Sequence, residues 1–496
     1  MIRTLLLLLL LALPAQALTG RQEIVLVIVD DVAPAAIGAY GETDAVEGPY
    51  TTTIIDTLAE YGQMYLNFTS EPMCSPSRRN IWYGMNPLQH GAGRALSTTE
   101  RVGVPWSERL SLVHSMQAAG YQVGIVGKHH IQDFGEGALH GTSVTQAAAM
   151  GFDFVSSYMQ TNPAEEYPPT TGSPHADGNH HYSWIETNPT TGATSVNTGY
   201  TTDVFTASAV AELQDNSNMA PMFLVVAYSA AHLPFNPPPD DIGGCAAAQS
   251  STASACYGSA IRYVSVKLED IMDELDWDED TMIFISENGR PNTAISVEHC
   301  SGSMSKGHAT PCGTRVPMLI RGPGVSAGDV VPALVNIADL HDTLLDMVGA
   351  PQYGTESISF KDCFADPDCA PRLVGSAVMY KPAGLPVPPE EGDDFSKYEM
   401  HFLIENAAGT VLYGMNRTYT ANEVGTFVDV LYNLGDPDVI DETKRYGQDS
   451  QIIEEPAGEE LTARTAMQAE ATRIVAARWS GPPQSMVGVT AVGVTH

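Results

Sequence analysis

The 496-residue chain reads as an α/β protein with a large, mostly parallel or mixed central sheet flanked by helices. A smaller C-terminal antiparallel sheet with a helix follows it. Three observations predict this. Continuous β-branched and aliphatic runs such as Glu23 to Val29 have the pattern of strands buried on both faces. These runs alternate with amphipathic helical stretches, the order of βαβ units. With 43% hydrophobic residues, the chain can bury a core large enough for one big α/β domain and a smaller one.

The elements follow in order. The strand Glu23 to Val29 runs directly into Asp30 and Asp31. A helix is predicted over Thr53 to Gly62, then a strand over Met64 to Phe68. An amphipathic helix, Leu110 to Ala119, stops at Gly120 and is followed by the strand Gln122 to Val126. Next come helix Thr202 to Leu213, strand Met222 to Ala227, helix Gly258 to Leu275 and strand Thr281 to Ser286. Between 155 and 200 the chain is rich in Pro, Gly, Thr, Asn and His and reads as one long loop. Lys381 to Asp394 is a Pro/Gly/acidic connector. Strand-like pieces at His401 to Glu405, Thr410 to Tyr413 and Thr426 to Tyr432, then a helix over Leu461 to Trp479, make the C-terminal unit. The expected division is 1–17 as a signal peptide, 18–380 as the catalytic α/β domain and 381–496 as the C-terminal subdomain.

The first residues place the chain outside the cytoplasm. Met-Ile-Arg-Thr, an apolar run to Leu13 and Pro14-Ala-Gln-Ala17 have the layout of a signal peptide cleaved near Ala17. No other stretch approaches the ~20 apolar residues of a membrane span. The expectation is therefore a secreted or periplasmic protein. Seven cysteines agree with an oxidising compartment. Proximity pairs Cys245 with Cys256, Cys300 with Cys312 and Cys363 with Cys369, which leaves Cys74 single. A net charge of −35 argues against nucleic acid as a partner, and any anionic substrate must meet a local positive patch.

The single cysteine lies in Cys74-Ser-Pro-Ser-Arg78, at the start of a helical-looking stretch. A helix N-terminus and Arg78 would both stabilise negative charge beside it; the alternative is an ordinary buried thiol. Asp30-Asp31 puts two carboxylates at a strand end, as a cation site or as a helix cap with a solvated neighbour. Ser286-Glu287-Asn288-Gly289 repeats the pattern, and read singly it is a turn. Lys128-His129-His130 and Tyr228-Ser-Ala-Ala-His232 follow two further strands. A histidine beside a lysine is suited to act as a base near neutral pH. Only seven lysines exist in the chain, yet Lys128 falls in one of these runs and Lys306 opens another, Lys306 to Arg315.

Together these runs resemble the type I, formylglycine-dependent sulfatases of the alkaline phosphatase superfamily. Cys74 to Arg78 resembles the family's Cys-x-Pro-Ser-Arg signature, and Gly127-Lys128-His129-His130 its Gly-Lys-x-His run. Lys306 with Gly313-Thr-Arg315-Val-Pro resembles the lysine followed by Gly-x-Arg-Val-Pro. Ile337 to Gly349 and Val430 to Asp438 resemble later family segments, so the likeness runs from about residue 23 to 440. The departure is Glu287, where the family has Asp.

The resemblance implies an alkaline phosphatase-like fold and hydrolysis of a sulfate monoester. Cys74 would be oxidised to formylglycine by a formylglycine-generating enzyme, and the hydrated aldehyde would be the nucleophile. Asp30, Asp31, Glu287, Asn288 and the modified Cys74 would surround Ca²⁺ or Mg²⁺. Arg78 and Lys128 would hold the formylglycine oxygens, His130 would take a proton, and His232 and Lys306 would grip the sulfate. His180 and His181 could line a sugar subsite, or the loop could simply be solvated. The expected substrate is a sulfated saccharide, with a small aryl or alkyl sulfate as the alternative. A phosphomonoester, phosphodiester or phosphonate hydrolase of the same superfamily is the rival activity.

Overall fold

Every residue of β1 (Glu23–Val29) is buried, and successive side chains enter two different cores. Val25, Val27 and Val29 join one cluster, while Ile24, Leu26 and Ile28 join the other. Alternation on a strand buried on both faces requires a layer on each side. The computed structural model describes residues 22–41, 51–90, 92–96, 111–131, 150–161, 180–188, 191–216, 220–240, 245, 254–291, 294, 305–352, 357–369, 373–380, 397–405, 412–420, 427–435, 451–452 and 461–469. The expected signal segment, Cys300, the 381–394 connector and the C-terminal helix beyond 469 lie outside them.

The remaining strands are β2 (Gln63–Thr69), β3 (Gln122–Lys128), β4 (Phe154–Met159), β5 (Trp184–Thr187), β6 (Thr194–Asn197), β7 (Met222–Ala227), β8 (Thr281–Ser286), β9 (Met318–Arg321) and β10 (Asp329–Asn336). β1 and seven of these form one eight-stranded sheet in the order β10-β2-β9-β8-β1-β7-β3-β4. Only β9 runs antiparallel to its neighbours there; the other pairings are parallel. One face is covered by α1 (Thr53–Glu60), α4 (Thr201–Asp215) and α5 (Ser254–Met272). The other is covered by α2 (Cys74–Tyr83), α3 (Leu112–Ala118) and α6 (Asp339–Met347). A second sheet, β11 (Leu373–Tyr380), β12 (Lys397–Glu405), β13 (Leu412–Thr420), β14 (Phe427–Gly435) and β15 (Gln451–Ile452), is antiparallel throughout. A helix over 461–469 follows.

The stretch expected to be one long loop is more ordered than its composition implies. It contains β4, an edge strand of the main sheet, and the β5–β6 hairpin. β4 escapes detection because Phe-Val-Ser-Ser-Tyr-Met is only half apolar, and Ser156 faces Glu212 rather than a core. The hairpin is polar and largely exposed on β6. Edge strands need no continuous hydrophobic run.

Register matters more for function than the layer count. Gly127, Ala227, Ile28 and Ile285 occupy one row across β3, β7, β1 and β8. The residues just beyond that row therefore leave the sheet together at its carboxyl edge, where crevices form in such folds. The antiparallel β9 delivers its preceding loop, residues 305–315, to the same edge. Phe284 is fully buried in the core on the α4–α5 side. Phe284→Ala should destabilise by about 3–5 kcal/mol, read as a lower urea midpoint at unchanged m-value. A loss below about 1 kcal/mol would mean that this face is loosely packed.

Candidate active site

Two backbone exchanges tie the end of β1 to the end of β7. The Asp30 N–H donates to Ala230 O and the Ala231 N–H to Asp30 O, each at 2.8 Å. On the other side the Val32 N–H donates to Ser286 Oγ at 2.8 Å. Asp31 sits in the left-handed region, φ 61°, which Asp tolerates better than most residues. Its carbonyl accepts from Tyr257 OH of α5 at 2.9 Å. Two adjacent carboxylates are thus fixed by backbone and cannot retreat to solvent.

Asp30 is fully buried and doubly paired. Arg78 Nη2 lies 2.9 Å from Oδ1 and Lys128 Nζ 2.5 Å from Oδ2. Burial alone would raise its pKa, but the charges of Lys128 and Arg78, with Lys306 beyond them, overcome this and hold it well below the usual range. Arg78 also reaches Glu287 Oε1 at 3.4 Å and donates to the Lys128 carbonyl at 2.5 Å. Lys306 Nζ stands 2.5 Å from Asp31 Oδ1, which also accepts from Asn288 Nδ2 at 2.7 Å. Burial would deprotonate Lys306, yet Asp31, Cys74 and Asp30 keep its ammonium firmly charged.

Cys74 opens α2 from an extended Met73, and all ten residues of that helix are buried. The preceding segment is stapled at several points. Ser77 Oγ bonds both the N–H and the carbonyl of Glu71, at 3.0 and 3.1 Å. The Gly307 N–H donates to Pro72 O at 2.8 Å, which brings the Lys306 loop to the helix start. Arg315 Nε donates to Leu66 O at 2.7 Å and braces the far end of that loop. Cys74 is the free thiol among the described residues. Cys245–Cys256 and Cys363–Cys369 are bridged as expected, and Cys312 is disulfide-bonded as well.

His130 is buried at φ 54°, with its N–H on Gln160 O and its Nε2 2.8 Å from Leu96 O. A carbonyl only accepts, so Nε2 carries the proton and the lone pair of the neutral ring lies on Nδ1. By the same logic His232 Nδ1 donates to Leu233 O at 2.7 Å, leaving the Nε2 lone pair 4.0 Å from Asp31 Oδ2. Burial, reinforced by Lys306 and Lys128, holds the His232 pKa well below that of free histidine. His181 lies beneath this loop rather than at its surface, 3% exposed, and His180 precedes it, partly exposed.

Three buried oxygens, Asp31 Oδ2, Glu287 Oε2 and Asn288 Oδ1, have no hydrogen-bond partner among the described residues. Buried acceptors without donors are costly, and hard oxygens of this kind suit a divalent cation. Among the described residues no three His, Cys, Asp or Glu side chains already stand in a ligating group. Asp30 is occupied by Arg78 and Lys128, and Asp31 Oδ1 by Lys306 and Asn288. The donor set nonetheless fits a hard cation, with Glu287 reaching it through one methylene more than Asp would have.

Sequence reasoning passed over Tyr257, Leu96 and Ser75. Tyr257 is 226 residues from the carbonyl it holds and reads as a core aromatic on α5. Leu96 acts through its backbone: its carbonyl takes the His130 ring proton and its N–H bonds Ser75 Oγ at 3.0 Å. Backbone contacts carry no residue-type signature.

His129, beside the site, offers a pH test. Its ring is enclosed by Trp82, Phe152 and Tyr158. Burial first, then the charges of Arg78 and His130, push its pKa down to about 3. The folded state thus refuses a proton that the unfolded chain accepts below pH ~6.5. Its contribution is complete above that pH and is lost as pH falls, at up to about 1.4 kcal/mol per pH unit. His129→Phe should therefore flatten the loss of stability between pH 7 and 5 in urea titrations. Parallel curves would contradict this assignment.

A sulfatase family model matches residues 22–350. An arylsulfatase of Hemicentrotus pulcherrimus is 25% identical over 426 residues, 80% of this chain and 70% of that protein. Human N-acetylgalactosamine-6-sulfatase is 28% identical over 351 residues, 66% of this chain and 62% of its own length. Ps i-CgsB in complex with k-i-k-neocarrahexaose aligns at TM-score 0.62 and 18% identity, over 94% of this chain and 96% of that one. A protein in complex with its substrate D-glucosamine-2-N,6-O-disulfate aligns at 0.61 and 16%, over 92% and 98%. At such identities the two solved structures speak to the fold alone, which they share with this chain.

Proposed function

Because the chain belongs to the formylglycine-dependent sulfatase family of sulfuric ester hydrolases, we propose that it hydrolyses a sulfate monoester on a carbohydrate, at the carboxyl edge of the main sheet. The observation that carries this reading is the buried charge cluster around Cys74. Three carboxylates, Asp30, Asp31 and Glu287, are interleaved with three cations, Arg78, Lys128 and Lys306. The 28% identical relative named for N-acetylgalactosamine-6-sulfate supports a saccharide ester, with an aryl ester, for which the arylsulfatase relatives are named, as the alternative.

Asp30, Asp31, Glu287 and Asn288 would hold the divalent cation, calcium or magnesium, which when bound supplies charge neutralisation for sulfate oxygens. Cys74, once oxidised to formylglycine, would add water to become a gem-diol and so offer a hydroxyl in place of a thiol. The chain's own residues do the rest. Arg78 and Lys128 screen Asp30, so that an anion can approach a carboxylate-rich floor. His130 accepts a proton at Nδ1, because Leu96 occupies the other nitrogen. Lys306 offers a permanently charged ammonium to the sulfate oxygens. His232 presents Nε2 towards Asp31 and carries a proton to the leaving alcohol only when the ester's negative charge offsets the neighbouring ammoniums. The division into an 18–380 catalytic domain and a 381–496 subdomain, and export guided by residues 1–17, complete the proposal.

The experiment is sulfate release from a panel of sulfated oligosaccharides, an aryl sulfate and an aryl phosphate, after co-expression with a formylglycine-generating enzyme. We expect turnover on a sulfated sugar, weaker turnover on the aryl sulfate, and none in Cys74→Ala. Lys306→Ala should lower kcat by about 10²–10³, the usual loss of a charge-stabilising donor. Faster release of phosphate than of sulfate, with Cys74 confirmed as converted, would replace this reading with a phosphoester hydrolase.

A further inference from the structure

Residues 181–182 hydrogen-bond to the loop that carries His232. The His181 N–H donates to Asn236 Oδ1 at 3.0 Å, and Tyr182 OH donates to Pro237 O at 2.8 Å. The His181 ring spans the gap between the two supports: Nε2 lies 3.1 Å from the His232 carbonyl and Nδ1 2.9 Å from Thr201 Oγ1. Thr201, at the start of α4, closes the circuit by donating its N–H to His181 O at 2.9 Å.

The chemistry of each contact fixes the state of the ring. The His232 carbonyl can only accept, so Nε2 is the protonated nitrogen and Nδ1 accepts from the Thr201 hydroxyl. Ser229 Oγ, 3.5 Å away, also faces Nδ1. Both nitrogens are therefore committed inside the protein, and the 3% exposed ring has no polar atom to offer a sugar. Burial drives its pKa down to about 4, in keeping with a neutral ring that bridges two partners.

We infer that His181 is a positioning residue for His232: its ring holds the His232 carbonyl against Thr201 and so aims the His232 imidazole into the charge cluster. The inference rests on the sulfatase reading of that cluster, and it replaces a direct substrate contact for His181 with an indirect role.

His181→Ala, His181→Gln and Thr201→Val, each alone and combined with His232→Ala, test it in protein whose Cys74 conversion is verified by mass. His181→Ala should lower kcat/KM about tenfold, through kcat rather than KM. His181→Gln, whose amide N–H can reach the same carbonyl, should recover most of that loss. In the His232→Ala background the His181→Ala loss should shrink to within about twofold. Losses that multiply in the double variant would overturn the inference, as would a loss confined to KM. Should His181→Ala fail to fold, Thr201→Val carries the same test, with a smaller drop that again vanishes without His232. If wild-type protein releases no sulfate, the sulfatase reading fails by itself. The positioning role is then decided by the His232 ring NMR signals, assigned through His232→Ala. They should move in His181→Ala and Thr201→Val, and unmoved signals would refute it.

Discussion

The site is built around one buried carboxylate. Asp30 has no access to water, and an isolated charge there would be prohibitively expensive. Arg78 and Lys128 make it tenable, one from the helix that begins at Cys74 and the other from the end of β3. Each partner is itself buried, so the three charges depend on one another. Removing any of them would leave an uncompensated ion in the interior, a change that generally costs about 3–5 kcal/mol. The pairing therefore joins α2, β1 and β3 at the point where Cys74 opens the helix.

The charge count around that anchor is the physical argument for the proposed cation. Asp30, Asp31 and Glu287 balance Arg78, Lys128 and Lys306, and burial keeps His232 neutral. A cluster with no net charge, inside a protein of −35, has little pull on an anion. A divalent cation on the unpartnered oxygens of Asp31, Glu287 and Asn288 tips the balance positive and satisfies three costly acceptors at once. Metal and sulfate would then be coupled: the first creates the field that holds the second.

Much of this was legible in the sequence, and the exceptions share a cause. β7 and β8 were predicted to the residue, Met222 to Ala227 and Thr281 to Ser286, because buried parallel strands are continuous apolar runs. Acids, lysines and histidines just beyond such runs could be placed at one edge of the sheet before any coordinates. The sequence was silent where polarity misleads or where the backbone acts. β4 is half-polar and reads as loop. Leu96 fixes His130 through a carbonyl, and Tyr257 fixes Asp31 through a hydroxyl from a helix that looks purely structural. His181 is the instructive case. Its Gly- and His-rich surroundings suggest an exposed sugar-binding loop, but the fold turns it inward beneath His232.

Anomalous diffraction from crystals of the matured protein grown with calcium would test the central claim most directly. One cation is predicted among Asp30, Asp31, Glu287 and Asn288, on the unpartnered oxygens of the last three, with Lys306 displaced from Asp31 Oδ1 toward an anion. A cation bound elsewhere, with these three side chains still lacking a partner, would contradict it.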